Sequence, residues 1–401
     1  MLTLETQSQT DTLTSIVSRV LNVEDITSGD ANQNYLMRYR GRLRLDSVDA
    51  YNRLANDLRP LDITPLFRNE QGQHTVLLVQ GVIRPKASNP WVNVFMFILT
   101  VFSMFLVGAA YVYDGPANTV AQVFLGPLST LWRGWPYAVS LMAILLAHEF
   151  GHYLAGRYHH TAVTLPYYLP MPIPGSFGTL GAFIQLKEPP KNRRILLDIG
   201  LAGPLAGLVV AIPVLLIGLS LSRIGPILTG EPITMEGNSL LYLISKFIVF
   251  GKLLPAPATY GGLSPLLYWL RYFFTGQPLP VGGLDVMIHP VAWAGWAGLL
   301  VTSLNLIPAG QLDGGHLLYV LVGQRAKRLL PFILVGLVLL GFVWSGWWLW
   351  AFLIFLLGRL YAEPLDQITP LDPRRKALAV LGLVVFVLVF TPVPLVLAVV
   401  R

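Results

Sequence analysis

Long apolar stretches constrain this chain more than any other feature of its sequence. After residue 90, several stretches reach or exceed the roughly 18 residues that a helix needs to cross a bilayer. Only 12% of the 401 residues are charged, whereas a soluble globular domain carries roughly 25%. These features exclude a disordered protein, a coiled coil and an ordinary cytosolic enzyme. They predict a polytopic α-helical membrane protein.

Charge divides the chain near residue 90, since residues 1–90 hold 10 of the 28 basic and 10 of the 21 acidic residues. This division predicts a small soluble domain ahead of a membrane-embedded domain at 91–401, whose core is at 136–323. In the soluble part we expect a flexible polar tail at 1–32, which lacks the apolar core of a signal peptide, and an α+β domain at 33–90.

The soluble domain is predicted to have the order βαββ. Alternation over 35–44 predicts a half-buried strand that carries four arginines on one face. Residues 47–59 are predicted as a helix. Strands near 64–69 and 74–84 flank a turn that contains glycine.

The membrane domain is predicted to cross the bilayer about seven times, or about eight or nine times if the mixed segment at 223–287 inserts. The predicted spans are 91–113, 136–157, 195–222, a broken span at 290–323, the pair 329–343 and 346–361, and 377–400. Lys and Arg near the span ends lie mostly on the side of the N-terminal domain, and such an excess marks cytoplasmic loops. We therefore expect a multi-pass protein of a bacterial cell membrane with a cytoplasmic N-terminal domain.

The net charge of +7 does not indicate a nucleic-acid partner, because the basic residues cluster beside apolar segments, as membrane topology requires. The chain has no cysteine. Disulfides, Cys nucleophiles and Cys-ligated metals are therefore excluded. Any metal site must be built from His, Asp, Glu or Asn.

The second predicted span contains the sequence HEFGH at 148–152. Two histidines at positions i and i+4 of a helix project from one face and can bind one Zn²⁺. Glu149 lies beside them and can take a proton from an attacking water. Because ionisable groups inside a span are costly unless they are paired or functional, His148, Glu149 and His152 indicate a site rather than packing.

A third ligand must come from elsewhere in the chain, because a catalytic zinc site has three protein ligands and an open fourth position. Besides Glu149, Asp313 is the one acidic residue well inside an apolar segment. By their spacing from the next basic residues, His148 and Asp313 both lie about 13–18 Å from the same membrane face. His316, one turn beyond Asp313, is the competing ligand and otherwise a supporting neighbour.

Around Asp313 the sequence reads NLIPAGQLDGG, in which Pro308 and Gly310 break the helix. Such a break is tolerated where the backbone lines a cavity. Together with HEFGH, this motif resembles the site-2 protease family of intramembrane zinc metalloproteases. Residues 202–207 (AGPLAG) are similar to that family's small-residue helix, and the segment at 290–316 looks most like the plastid and cyanobacterial-type branch. The similarity covers residues 136–323.

The resemblance implies one Zn²⁺ per chain held by His148, His152 and Asp313, with Glu149 as general base. It also implies that Asn305 contacts the substrate or its oxyanion, although Asn305 can instead satisfy backbone groups freed by Pro308. The implied reaction is hydrolysis of peptide bonds within or next to the membrane-spanning segments of protein substrates (regulated intramembrane proteolysis). A membrane transporter of metals or other ions that uses intramembrane His and Asp is the alternative, and it leaves Glu149 unexplained.

Between the second and third predicted spans, residues 164–187 hold several prolines and three spaced glycines, which exclude a continuous helix. Residues 179–186 have the β-branched and aromatic content of a strand. We expect a hairpin that dips toward the active site. Its edge can pair with an unwound substrate, or the hairpin can simply plug the cavity.

Overall fold

The structure is a computed structural model that describes residues 2–29, 34–227, 232–358 and 360–399. Its helices are α1 (Leu2–Ser18), α2 (Ser47–Leu58), α3 (Pro90–Ala110), α4 (Val120–Leu125), α5 (Trp135–Tyr158), α6 (Arg193–Ser220), α7 (Leu240–Phe250), α8 (Pro265–Thr275), α9 (Pro290–Asn305), α10 (Asp313–Val322), α11 (Arg325–Gly341), α12 (Gly346–Leu357) and α13 (Pro373–Val389). Its strands are β1 (Leu21–Ser28), β2 (Met37–Leu43), β3 (Ile63–Glu70), β4 (Gln73–Gln80), β5 (Tyr167–Met171), β6 (Gly178–Phe183), β7 (Arg223–Pro226), β8 (Pro232–Glu236), β9 (Leu284–Met287) and β10 (Leu395–Val399).

The N-terminal domain, which the sequence predicts to be soluble and which we call the soluble domain, contains an antiparallel four-stranded sheet in the order β1-β2-β4-β3. The predicted strand, helix and two further strands are present as β2, α2, β3 and β4. Helices α1 and α2 share one core with the sheet, in which Leu54, Tyr39 and Phe67 are buried. A turn at Gln71 and Gly72, both with positive φ, joins β3 to β4.

The prediction of a flexible tail at 1–32 is wrong for the described residues of that segment. They form α1 and β1, and β1 pairs with β2 from Leu21 to Ser28. The physical reason is burial, since Leu13 and Val17 lie one turn apart on one face of α1, and both are buried in the domain core with Leu21 of β1. Polar residues between them make the segment look like a tail.

Three helical stretches of the described chain are long and apolar enough to cross a membrane. They are α3, α6 and the continuous stretch Val120–Tyr158, which joins α4, a 3₁₀ turn and α5. The remaining predicted spans correspond to shorter helices, so the count of seven stays a prediction. The last span is shorter than 377–400, because α13 ends at Val389 before Pro392 and Pro394, and β10 then pairs with β8.

Helices α5, α6 and α9 pack against one another at the centre of the membrane domain. The mixed segment between α6 and α9 forms two short helices, α7 and α8, and strands of the pairs β7–β9 and β8–β10. The central helices therefore form the scaffold on which the predicted motifs lie.

The soluble domain contacts the membrane domain through a short extended segment at 365–367. Phe67 on the edge strand β3 donates from its backbone N–H to the carbonyl of Leu365 at 2.9 Å and accepts from Gln367 at 3.0 Å. Asp366 in turn donates to the carbonyl of Lys191 at 2.7 Å. This contact covers one edge of the sheet and places the soluble domain beside the start of α6.

Candidate metal centre

Helix α5 carries the two histidines of the HEFGH motif on the face that packs against α6. His148 and His152 are both buried, and their Nε2 atoms lie 3.2 Å apart. The i, i+4 spacing places the rings one above the other, as the sequence predicts.

Asp313, the first residue of α10, lies at the same point. Its Oδ2 lies 3.3 Å from Nε2 of His148 and 3.3 Å from Nε2 of His152. The break after α9 makes this approach possible, because Gly310 has a positive φ of 57°. Gly314 is equally constrained, since a Cβ there would lie 1.9 Å from the carbonyl oxygen of Leu306.

The three ligand atoms fit a tetrahedral metal ion. Ligands at about 2.0–2.1 Å from a tetrahedral zinc ion lie about 3.3–3.4 Å from one another. The three separations among His148, His152 and Asp313 are 3.2, 3.3 and 3.3 Å. Two imidazole nitrogens and one carboxylate oxygen are also a donor set that zinc accepts in catalytic sites.

A backbone group of α6 orients one of the histidines. Nδ1 of His152 lies 2.7 Å from the carbonyl oxygen of Ile199. Because a carbonyl can only accept, Nδ1 donates and Nε2 keeps its lone pair for a metal. This contact holds both the tautomer and the direction of the ring.

Glycines on α6 allow the histidines to approach the helix this closely. A Cβ at Gly203 would lie 2.1 Å from Nε2 of His152, and one at Gly207 would lie 3.2 Å from the ring of His148. The AGPLAG segment at 202–207 therefore carries glycine at 203 and 207 because larger side chains there would displace the two histidines.

The other predicted site residues lie around the same point. Glu149 is 3% exposed, and its side chain lines the cavity next to the two histidines. Nδ2 of Asn305, the last residue of α9, lies 3.3 Å from Nε2 of His148. His316 also lines the cavity, where its Cβ is close to Gly200 of α6. The structure thus brings all the predicted site residues together, while their roles remain to be proposed.

The cavity has a volume of about 170 Å³ and is bounded on one side by the end of β6. Ala182 and Phe183 of β6 line it, together with Ile184, which follows the strand. The predicted hairpin is present, because β5 and β6 pair as antiparallel strands. Its tip is held by the hydroxyl of Tyr137, which donates to the carbonyl of Phe177 at 3.0 Å.

Sequence reasoning missed the contribution of α6 to this site. The carbonyl of Ile199 is a backbone group, so no residue type signals it. Only the family resemblance indicates a role for the glycines at 203 and 207, although their spacing of four residues places them on one face of a helix.

The sequence profile of peptidase family M50 matches residues 136–343. The chain is also 29% identical over 340 residues to "Probable zinc metalloprotease EGY1, chloroplastic" of Arabidopsis thaliana, which covers 78% of this chain and 56% of that protein. It is 28% identical over 405 residues to the protein of the same description from Oryza sativa subsp. japonica, covering 92% and 64%. No solved structure matches the chain.

The profile match covers just over half of the 401 residues, so the chain belongs to peptidase family M50. Similarity to the chloroplastic proteins confirms the resemblance to the plastid-type branch of the site-2 proteases. The chain spans 56% and 64% of the length of these two relatives.

Proposed function

We propose that this member of peptidase family M50 is an intramembrane zinc metalloprotease that hydrolyses peptide bonds within or next to the membrane-spanning segments of its substrates. The observation that carries the proposal is the convergence of His148, His152 and Asp313 on one point beside Glu149, in a cavity among apolar helices. The description of the relatives as probable zinc metalloproteases supports zinc as the metal. The transporter alternative has no comparable support, since the family is one of peptidases.

His148, His152 and Asp313 are the residues that would hold one zinc ion. Zinc bound there supplies Lewis-acid polarisation of the scissile carbonyl and of the attacking water. Glu149 accepts the proton of that water at its carboxylate and delivers it to the leaving amine. Burial of Glu149 at 3% exposure keeps bulk water away from this transfer.

Asn305 is suited to contact the substrate rather than only its own backbone. Its Nδ2 donor group lies 3.3 Å from a proposed metal ligand, within reach of a carbonyl oxygen bound at the same point. An amide donor in this position stabilises negative charge that develops on the oxygen during attack. His316 lines the same cavity, and we keep it as a supporting residue rather than a ligand.

The strand that borders the cavity is suited to bind an unwound substrate backbone. The backbone of Gln185 makes two hydrogen bonds with Thr164. Its N–H donates to Oγ1 of Thr164 at 3.0 Å, and its carbonyl accepts from the backbone N–H of Thr164 at 3.1 Å. Since successive residues of a strand point their backbone groups to opposite edges, the N–H of Ile184 faces the other edge, where Ile184 lines the cavity. A substrate backbone that pairs with this edge would gain hydrogen-bond partners that the membrane interior does not supply.

The protein is an integral membrane protein, and we propose that its soluble domain lies on the cytoplasmic side or the equivalent face of an organelle. The excess of Lys and Arg at span ends on that side supports this orientation. A bacterial membrane stays a prediction, because the relatives are described as chloroplastic.

Substitution of Glu149 by Gln tests the proposal directly, because Gln has the same shape but cannot accept the proton. We expect the variant to retain one zinc per chain, measured by metal analysis of the purified protein, and to lose cleavage. Glu70→Gln on the soluble domain is the matched control and should keep both. Uncleaved substrates trapped by Glu149→Gln in membranes can be identified by mass spectrometry, and full cleavage by this variant would contradict the mechanism.

A further inference from the structure

A second group of charged side chains ties three helices together near the start of α6. Asp198 on α6 accepts two hydrogen bonds from Arg375 of α13, from Nε to Oδ1 at 2.9 Å and from Nη2 to Oδ2 at 2.7 Å. Nε2 of His159, which ends α5, lies 3.0 Å from the same Oδ2. A planar guanidinium that binds both carboxylate oxygens fixes the direction of the pair as well as its distance.

Arg375 is itself held in place by its own helix. Its Nη1 donates to Oδ2 of Asp372 at 2.8 Å, and Asp372 caps the first turn of α13 by accepting from the backbone N–H of Arg375 at 3.0 Å. These contacts hold the guanidinium against the first turn of α13 while it binds Asp198.

Asp198 precedes Ile199, and the carbonyl of Ile199 is the group that accepts from Nδ1 of His152 at 2.7 Å. His148 and His152 on α5 and His159 at its C-cap are separated by four and seven residues, which places them along one side of the helix. His148 and His152 thus contact α6 at the metal centre, and His159, two turns later, contacts it at Asp198. His159 and Asp198 thus join α5 to α6, the two helices that meet at the metal centre, and Arg375 ties the same carboxylate to α13.

Helix α6 packs against α5 and α9, but its side chains do not hold the two histidine rings in place. It presents Gly203 and Gly207 to the two rings, and glycines offer no side chain that interlocks with a neighbour. Pro204 lies inside α6 and has no N–H. The carbonyl of Gly200 therefore lacks its helical partner, so the hydrogen-bond ladder of α6 is interrupted directly after Ile199.

We propose that Arg375 and Asp198 are positioning residues for the metal centre, which act on His152 through the carbonyl of Ile199. This inference rests on the proposed function, because it assumes that His152 binds zinc. Loss of the pair lets the start of α6 shift, so the hydrogen bond to Nδ1 weakens and the ring of His152 loses its fixed direction. The expected consequence is weaker zinc binding with altered ligand geometry.

The test measures the metal rather than turnover. Zinc affinity of the purified full chain is determined by competition with a chelator, and the visible absorption of the Co²⁺-loaded protein reports the geometry of its ligands. Arg375→Gln and Asp198→Asn are compared singly and together, with Arg374→Gln as the control, since Arg374 is the exposed neighbour of Arg375.

We expect each single variant to bind zinc more weakly, by up to about the tenfold that loss of a ligand's own hydrogen-bond partner causes, and to change the Co²⁺ spectrum. The double variant should bind no more weakly than the singles, because both changes remove the same contact. If Arg375→Gln does not fold, Arg375→Lys keeps the charge but not the paired hydrogen bonds, and it should still weaken zinc binding.

Unchanged zinc affinity and an unchanged Co²⁺ spectrum in a folded Arg375 variant would overturn the inference and leave the ion pair as a tie between helices. Failure of the proposed function looks different, since the unmodified chain would then not bind zinc at His148, His152 and Asp313 at all. The unmodified chain and the Glu149→Gln variant, measured in the same assay, separate these two outcomes.

Discussion

Two clusters of buried charged side chains in the membrane domain balance their charge in opposite ways. At the metal centre, two imidazoles and Asp313 direct lone pairs at one point, with separations of 3.2–3.3 Å. In the second cluster, Nζ of Lys246 on α7 lies 3.8 Å from Oδ1 of Asp285 on β9. The hydroxyl of Tyr242 donates to Glu236 on β8 at 2.8 Å in the same cluster.

The second cluster contains its own cation, Lys246, whereas the metal centre presents a set of donor atoms that can bind a metal cation. Lys246 is fully buried, and Asp285 and Glu236 are 5% and 6% exposed. A buried carboxylate costs several kcal/mol unless an opposite charge compensates it. We infer that substitutions in the metal centre affect chemistry, while substitutions in the second cluster affect the stability of the fold.

Asp313→Ala should have the largest effect, because it removes one of three proposed metal ligands. We expect loss of both bound zinc and cleavage, with little change in the thermal stability of the metal-free protein. Metal analysis and calorimetry on the same preparation measure the two quantities. Retention of one zinc per chain would show that His316 or another group replaces Asp313 as ligand.

The ligands of the metal centre can be predicted from the sequence, whereas the contacts that support them cannot. The HEFGH motif is local, so its register on one helix face follows from spacing alone, and Asp313 stands out because acidic residues in apolar segments are rare. The pair of Asp198 and Arg375 joins residues 177 positions apart, and no periodicity signals such a contact. The sequence does not reveal α1 and β1, because polar residues separate their apolar residues and these are buried only once the sheet has formed.

Lys246→Met should lower stability without affecting the metal centre. Removing the cation leaves Asp285 buried without its ion-pair partner, and breaking a buried ion pair costs about 3–5 kcal/mol. Thermal unfolding measures the loss, and Lys252→Met at an exposed position of the same region is the control. Zinc content should remain that of the unmodified chain. Equal melting temperatures for the two variants would show that Lys246 contributes no compensation.

Ile184→Pro should slow cleavage while it leaves zinc bound. It removes the N–H that faces the cavity edge, and loss of one backbone hydrogen bond to the substrate is expected to reduce kcat/KM about tenfold. Ile184→Ala removes the side chain but keeps the N–H, so it should cleave close to the normal rate. If proline and alanine behave alike, the strand acts as a plug rather than as a partner of the substrate backbone.

The smallest expected effect is a dependence of stability on pH that arises in the second cluster. Glu236 lies on β8, outside the spanning helices, and burial raises its pKa to about 7, helped by the charge of Asp285 and opposed by Lys246. A carboxyl group whose pKa is raised in the folded state binds its proton more tightly there than in the unfolded chain. Its contribution to stability is therefore complete below the unfolded pKa, near 4.5, and is lost as the pH rises through about 7.

Glu236→Gln isolates this contribution, because Gln cannot ionise and can still accept from Tyr242. We expect the stability of the unmodified chain to fall between about pH 5 and pH 8 relative to the variant, by about 1–3 kcal/mol. Both proteins are measured without zinc, so that protonation of the metal ligands contributes equally to the two curves. Parallel curves would show that Glu236 remains ionised throughout, and Lys246 would then compensate both carboxylates of the cluster.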